Sequence, residues 1–542
     1  MPTLVLGPLL RHVDETSATV WVETDASCEV EILGCTADTF HVAGHHYGLV
    51  VIEGLQPAGC TPYEVRLDGT LVWPETGSTY PPSRIRTLGH GNPINLVFGS
   101  CRWARPATAG GDRSLPPDAL DTYATRMARD PEDCWPDALL LLGDQVYADE
   151  TTSHTQTYLR NRRDVDRPPY TEVADFEEYT HLYLESWTDP DIRWLLSTIP
   201  TSMIFDDHDV RDDWNTSHIW REQMQATHWW QERIEGALMS YWIYQQLGNL
   251  APSDLATDEL FAAVRAAGDG EPILRTFARH ADAEADGAKS TRWSFRRDFG
   301  GVRLLVIDTR CGRILADDHR SMVSAGEFEW IEEQARADVD HLVIGSSLPW
   351  LMAQALHDVE AWNEHMCTKY DGRLVGRLSE KFRQGADLEH WAAFGESFRR
   401  LARLFADIGS ADGAPATICV LSGDVHHAYV AEARYPDRPR SKIYQLTCSP
   451  VHNMVPGFMK IGFRVGWSRL ARSISRPLTR LFRVPAVPID WVKLDGPYFD
   501  NQLATLTLSG RSASVRLEKT ELGPDGPRLA LASEVVLSAD GT

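Results

Sequence analysis

Four stretches of the chain end an apolar run with side chains that bind metals. They are Val97-Phe98-Gly99-Ser100-Cys101; Leu139 to Leu142 running through Gly143-Asp144 to Tyr147; Met203-Ile204-Phe205 running into Asp206-Asp207-His208-Asp209; and Val420-Leu421-Ser422-Gly423 running into Asp424-Val425-His426-His427. Short apolar runs closed by turn signals read as buried strands. An α/β sheet binds its ligands outside the carboxyl ends of its strands. Four such ends in one chain therefore predict a parallel sheet that gathers them on one polynuclear metal centre, an arrangement suited to cutting phosphate esters.

Each motif carries its own chemistry. Gly143 lets the chain turn as it leaves the sheet, and the two oxygens of Asp144 can bridge two cations; alone, Asp144 would equally cap a helix. Asp206-Asp207-His208-Asp209 crowds three carboxylates around one imidazole, which calls for a bound cation or an arginine such as Arg211. Asp424 and His426 place two ligand types on alternate residues of a turn, with His427 beside them. Cys101 alone would read as an inert buried thiol, but the adjacent Arg102 favours thiolate; Tyr147 alone would read as a packing residue.

At 542 residues the chain exceeds the size at which one core stops growing, so a large domain with one or two smaller units is expected. Residues 1–88 alternate in short strands with Gly and Pro punctuation and read as an all-β, fibronectin- or immunoglobulin-like module. From Asn95 the pattern becomes α/β, and residues 93–542 read as the second domain. Within it, residues 227–247 and 388–408 read as amphipathic helices, Ser324 as a helix cap, and residues 498–508 and 513–517 as closing strands. The net charge of −24 argues against general nucleic-acid binding. Nine scattered cysteines without a CxxC pair exclude a zinc ribbon and fit a reducing compartment. The amino terminus shows neither a secretory signal nor a membrane span, so a cytoplasmic location is expected.

In the order and spacing of Gly99-Ser100-Cys101, Gly143-Asp144 with Tyr147, Asp206-Asp207-His208 and Gly423-Asp424-Val425-His426, the chain resembles the alkaline phosphatase D-like metallophosphoesterases over roughly residues 95–451. The resemblance implies an α/β/β/α sandwich and a centre of ferric iron with calcium, with Cys101, Asp144, Tyr147, Asp424 and His426 as metal ligands. Thiolate and phenolate suit ferric iron, and carboxylates suit calcium. Asp207 sits where related enzymes carry the Asn of a Gly-Asn-His motif, and His208 would bond the phosphate and assist the leaving group. Where several relatives have two asparagines, one a ligand, this chain reads Asp212-Asp213; Asp207 and Asp213 join the candidate metal ligands. Arg102 and His427, beside the ligands, are candidates for binding substrate.

The expected reaction is hydrolysis of a small or polymeric phosphate ester by a metal-activated water, with monoester and diester both open. Between Asp437 and Asp490 there is no acidic residue, while Arg438, Lys460, Arg464, Arg469, Arg480 and Arg483 are among the cations that fall there. This basic segment, around 438–489 and interleaved with apolar residues from Phe458 to Phe482, could hold an anionic substrate, lie on an anionic membrane as in a phospholipase-type diesterase, or pair internally with the acidic remainder. A non-catalytic, metal-stabilised scaffold is a further alternative, disfavoured because every landmark survives. A serine hydrolase and a P-loop NTPase are disfavoured by the absence of Gly-x-Ser-x-Gly and of a Walker motif.

Overall fold

A computed structural model describes residues 1–104, 115–287, 291–316 and 319–539; the side chain of Phe458 lies outside the described set. The amino-terminal module is a β-sandwich. One sheet orders Leu4–Val13, Ala18–Thr24, His45–Ile52 and Phe40–Val42; the other orders Cys35–Asp38, Glu29–Ile32, Val65–Leu67 and Thr70–Trp73. Alternate residues such as Val20, Val22, Val30, Val50 and Leu67 fill the space between the sheets. The first two strands are buried along almost their whole length because the outer face of their sheet is also covered. Leu6, Leu9, Trp21 and Tyr47 join the main core of the second domain. Arg11 is fully buried there, and its guanidinium donates to the carbonyls of Thr201 (2.9 Å), Tyr244 (2.7 Å) and Gln245 (2.7 Å). The module is thus bound into the body of the protein.

Two sheets form the second domain. The first orders Thr201–Ile204, Ala138–Leu142, Ile94–Gly99, Gln502–Ser509, Ser512–Gly523 and Gly526–Ser538; its first three strands are parallel, and Gln502–Ser509 joins antiparallel to Ile94–Gly99. The second orders Phe295–Phe299, Val302–Ile307, His341–Ser346, Thr417–Ser422, Lys442–Thr447, Ala428–Arg434 and Asp490–Tyr498, with four parallel strands at its centre. The sheets face one another across a shared core that includes Leu140, Val306, Val343 and Leu421. A Cβ at Gly345 of the second sheet would stand 3.3 Å from Leu142 of the first. Three of the four sequence motifs therefore end neighbouring strands of one sheet and the fourth ends a strand of the other. They converge because the sheets pack face to face, not because all four share one sheet.

The Ser324 hydroxyl accepts from the Glu327 amide and caps helix Ala325–Ala335 as expected. The aromatic helix runs Trp230–Tyr241 and continues through a π-turn at Trp242–Gln246. The expectation of a helix over 388–408 is corrected: the α-helix is Gly395–Ser410, and the residues before it form a buried loop with one 3-10 turn at Trp391–Ala393. Glu389 and His390 in that loop are held by ion pairs that a helical path would break. Two closing strands were expected at the carboxyl end; the structure adds Asp490–Tyr498 and Gly526–Ser538. No helix among the described residues is long and apolar enough to cross a membrane.

Candidate metal centre and active site

The strand ends meet with no room to spare. A Cβ on Gly143 would lie 2.5 Å from the Asp206 Cβ, and one on Gly423 would lie 1.9 Å from the Ser100 hydroxyl. Glycine is the residue that lets the loops touch. The amides of Cys101 and Arg102 donate to the carbonyls of Gly143 (3.2 Å) and Asp144 (3.1 Å), and the Asp424 amide donates to Ser100 Oγ at 3.0 Å. Asp209 fastens the second and third motifs together: its carboxylate accepts from the amides of Asp144 (2.9 Å), Gln145 (3.2 Å) and Asp206 (2.9 Å). In the loops that follow these strands Cys101, Asp144, Asp213, Asp424 and His426 all adopt positive φ, between 47° and 65°. That conformation is uncommon for residues with a Cβ and concentrates at sites of function.

Three of the sequence-expected ligands, Asp144, Asp207 and Asp424, fall into carboxylate groups completed by Asp206 and Glu389. Carboxylate oxygens of Asp144, Asp206 and Asp207 lie within 4.8 Å of one another, as do those of Asp207, Glu389 and Asp424. Burial, reinforced by the charges of Asp206, Asp207 and Asp209, pushes the Asp144 carboxyl far above the usual range. Burial and then Glu389 raise Asp213 to about 10. The Cys101 thiol and Tyr147 phenol are raised by burial and by nearby Asp144, with Asp424 also acting on the thiol. His426 is lowered to about 4 by burial and by His208, which leaves a neutral imidazole with a free lone pair at neutral pH. Asp144 Oδ1 and Asp213 Oδ1 are buried without a hydrogen-bond partner. Orphaned carboxylate oxygens beside a neutral imidazole, a thiol and a phenol make a donor set that fits a cation, and a cation would reverse those upward shifts.

His208 is the candidate acid. Its Nδ1 donates to Asp149 Oδ1 at 2.9 Å, and its ring stacks on Tyr147 at 4.6 Å between centroids. Burial opposes the charged imidazole, but Asp149, Asp207 and Asp144 raise its pKa far above the ordinary histidine value. The substrate-binding candidates are placed differently. Arg102 is buried with its guanidinium on Asp118 (2.8 Å) and the Ser186 carbonyl (2.9 Å), so its charge is already engaged. His427 is buried among aromatic rings with Nδ1 on the Val425 carbonyl at 2.6 Å. Arg211, named as a counter-ion, reaches Glu172 at 3.3 Å instead.

The cation that faces the acidic motif is Arg310, which the ligand pattern did not single out. It is fully buried, bonded through Nε to Asp206, and its terminal nitrogens stand near Glu389 (2.5 Å), Asp207 (3.2 Å) and Asp424 (3.7 Å). It ties down Asp206 and Glu389 and stands against Asp207 and Asp424, while Asp144 Oδ1 keeps no hydrogen-bond partner. A signal was present: Asp308-Thr309-Arg310 follows strand Val302–Ile307 as the other motifs follow theirs. Asp424 in turn accepts from His390 Nε2 at 3.0 Å, while His390 Nδ1 bonds Glu360 at 2.9 Å. Burial alone would raise the Asp424 carboxyl; His390 and Arg310 draw it down to about 2.

Paired mixed sheets with a buried ring of carboxylates, imidazoles, a thiol and a phenol at their facing strand ends define a phosphoesterase-type hydrolase. The family model of PhoD-like phosphatases matches residues 115–461, and a domain of unknown function, DUF7800, matches residues 1–85. The chain belongs to the PhoD-like phosphatase family. Among solved structures it is similar to one described as the structure of PhoD, with a TM-score of 0.58 at 11% identity over 98% of this chain and 90% of that chain. It is also similar to the purple acid phosphatase PPD1 from yellow lupin (Lupinus luteus) seeds, with a TM-score of 0.53 at 12% identity over 98% of this chain and 74% of that chain. At these identities the likeness is one of fold. No curated protein matches the chain.

Proposed function

We propose that this protein hydrolyses phosphate esters at a centre whose cations are held by Cys101, Asp144, Tyr147, Asp207, Asp213, Asp424 and His426, with His208 as the catalytic acid. The observation that carries the proposal is a carboxylate-held imidazole, His208 on Asp149, in a group that shares Asp207 with the buried Asp144–Asp206–Asp207 group and its orphaned Asp144 oxygen. Thiol, phenol and imidazole suit ferric iron and the remaining carboxylates suit calcium, which is the metal pair we assign. A cation bound there supplies positive charge beside the phosphoryl oxygens and makes water acidic enough to attack near neutral pH.

The chain's own residues do the rest. Asp149 fixes the His208 ring through Nδ1 and leaves Nε2–H, which stands 4.0 Å from Asp212 Oδ1 without a hydrogen bond to it, for the substrate. As water oxygen bonds to phosphorus and the ester P–O bond breaks, His208 Nε2 gives its proton to the departing oxygen. Arg310 keeps Asp206 and Glu389 in place without occupying the orphaned oxygen of Asp144. The test is turnover of a chromogenic phosphomonoester and its matching diester, with metal content measured in the same samples. Asp144→Ala is expected to lose both bound metal and hydrolysis, and chelation followed by iron and calcium is expected to restore the wild type. Full activity in Asp144→Ala, or in metal-free protein, would overturn the proposal.

A further inference from the structure

We infer that helices Gly457–Gly466 and Arg469–Phe482 form a docking surface for an anionic lipid bilayer, set against the wall of the metal centre. Leu470, Ile474, Leu478 and Leu481 recur at helical spacing on one face of the second helix, so a single stripe carries them all. Their exposures are 72%, 58%, 48% and 73%, too high for a face that packs on its own protein. The opposite side anchors the helix: Ser475 is buried with its hydroxyl on Asp358, and Arg472 pairs with Asp490 at 2.7 Å. Arg469, Arg480 and Arg483 lie on the flank between, exposed and without a carboxylate within 4.0 Å among the described residues.

Charge decides the occupant. The protein carries a net −24, yet residues 438–489 contain no acid, the longest such run in the chain, so an anionic surface would attract this segment. A stripe of leucines beside unpaired arginines is the pattern of a helix that lies in a headgroup layer. The preceding helix continues the exposed apolar surface with Ile461 and Val465, and its Phe463 ring stacks on His427 at 4.3 Å. The loop between strand and helix reaches the centre itself, because Asn453 Nδ2 donates to the Tyr147 hydroxyl at 2.9 Å. A bilayer on these helices would bring lipid phosphates to the edge of the site; that consequence rests on the phosphoesterase reading, whereas the docking itself does not.

The experiment is co-sedimentation of the full chain with vesicles of phosphatidylglycerol and phosphatidylcholine in equal parts, beside vesicles of phosphatidylcholine alone. Binding to the mixed vesicles that weakens with salt is expected, with little binding to the neutral ones. Two triple variants, Leu470→Ser with Ile474→Ser and Leu481→Ser, and Arg469→Ser with Arg480→Ser and Arg483→Ser, are each expected to lose about tenfold or more in vesicle affinity. Both substitute exposed positions, so thermal melting and turnover of a soluble substrate are expected to stay as in the wild type. Asp144→Ala is expected to bind vesicles normally, which separates failure of catalysis from failure of docking. No vesicle binding, binding that survives both triple variants, or a concentration-dependent dimer that the leucine variant abolishes would overturn the inference.

Discussion

Replacing Asp149 with asparagine tests whether His208 works as an acid held by a carboxylate. The Asp149 side chain is only 7% exposed; this desolvation alone would raise its carboxyl, but His208 draws it down to about 2, so it is an anion at working pH. Its Oδ1 accepts from His208 Nδ1 at 2.9 Å and its Oδ2 accepts from the Asp212 amide at 2.6 Å. With His208 in its acid form, an asparagine has one oxygen for these two donors, so one hydrogen bond is lost whichever way the amide turns. Losing a bond to a buried charged group costs about 1.5–3 kcal/mol. If that loss falls on the transition state, kcat drops roughly 10- to 150-fold. The assay is kcat across aryl and alkyl phosphate esters of increasing leaving-group basicity. A poor leaving group needs the His208 proton and a good one hardly does, so the deficit of Asp149→Asn is expected to grow along the series. An equal deficit for every ester would show that Asp149 only maintains the fold, and the assignment of His208 as acid would fall with it.

Three other perturbations follow from the same geometry. Arg310→Met removes the cation facing Asp206, Asp207, Glu389 and Asp424, and breaking a buried pair of this kind is expected to destabilise by about 3–5 kcal/mol, read as a lower urea midpoint; an unchanged midpoint would refute the role given to Arg310. Gly423→Ala forces a methyl to within 1.9 Å of Ser100 Oγ, so a loss of about 1–3 kcal/mol or more is expected, partly restored by adding Ser100→Gly; a double variant no better than the single would count against the close approach. His45 bridges Glu23 and Glu177, and although burial opposes its charge, these partners raise its pKa to about 9. The stability this contributes is full below about pH 6.5 and is lost as pH rises through about 9, so the melting temperature of the wild type is expected to fall over that window more steeply than that of His45→Gln. Parallel curves would show that the bridge is not felt.

The parts of this site that were legible in the sequence are those whose chemistry and chain position coincide. Asp144, Asp207, Asp424 and His426 each follow an apolar strand within a few residues, so periodicity located them at the strand ends. Face-to-face sheet packing was not legible in that way: each motif declares its own strand end, but nothing in Thr417–Ser422 says that it lies across from Ala138–Leu142 and not beside it. Arg102 misled for a related reason, since adjacency to Cys101 along the chain says nothing about direction, and its side chain points to Asp118.

The segment around Glu389 shows the deeper limit. Residues 388–408 have the spacing of one amphipathic helix, and local propensity favours it. The structure starts that helix at Gly395 because Glu389 is drawn to Arg310 and Arg313, and His390 to Asp424 and Glu360. Those partners are from about 30 to 80 residues away along the chain, beyond any local window. Buried charges left without partners cost several kcal/mol each, more than about two turns of helix return, so the long-range pairs win. The same competition explains why catalytic sites resist sequence reading more than cores do. A core residue needs only an apolar neighbour, whereas Asp424 needs a particular imidazole and a particular guanidinium, and both reach it from other parts of the fold.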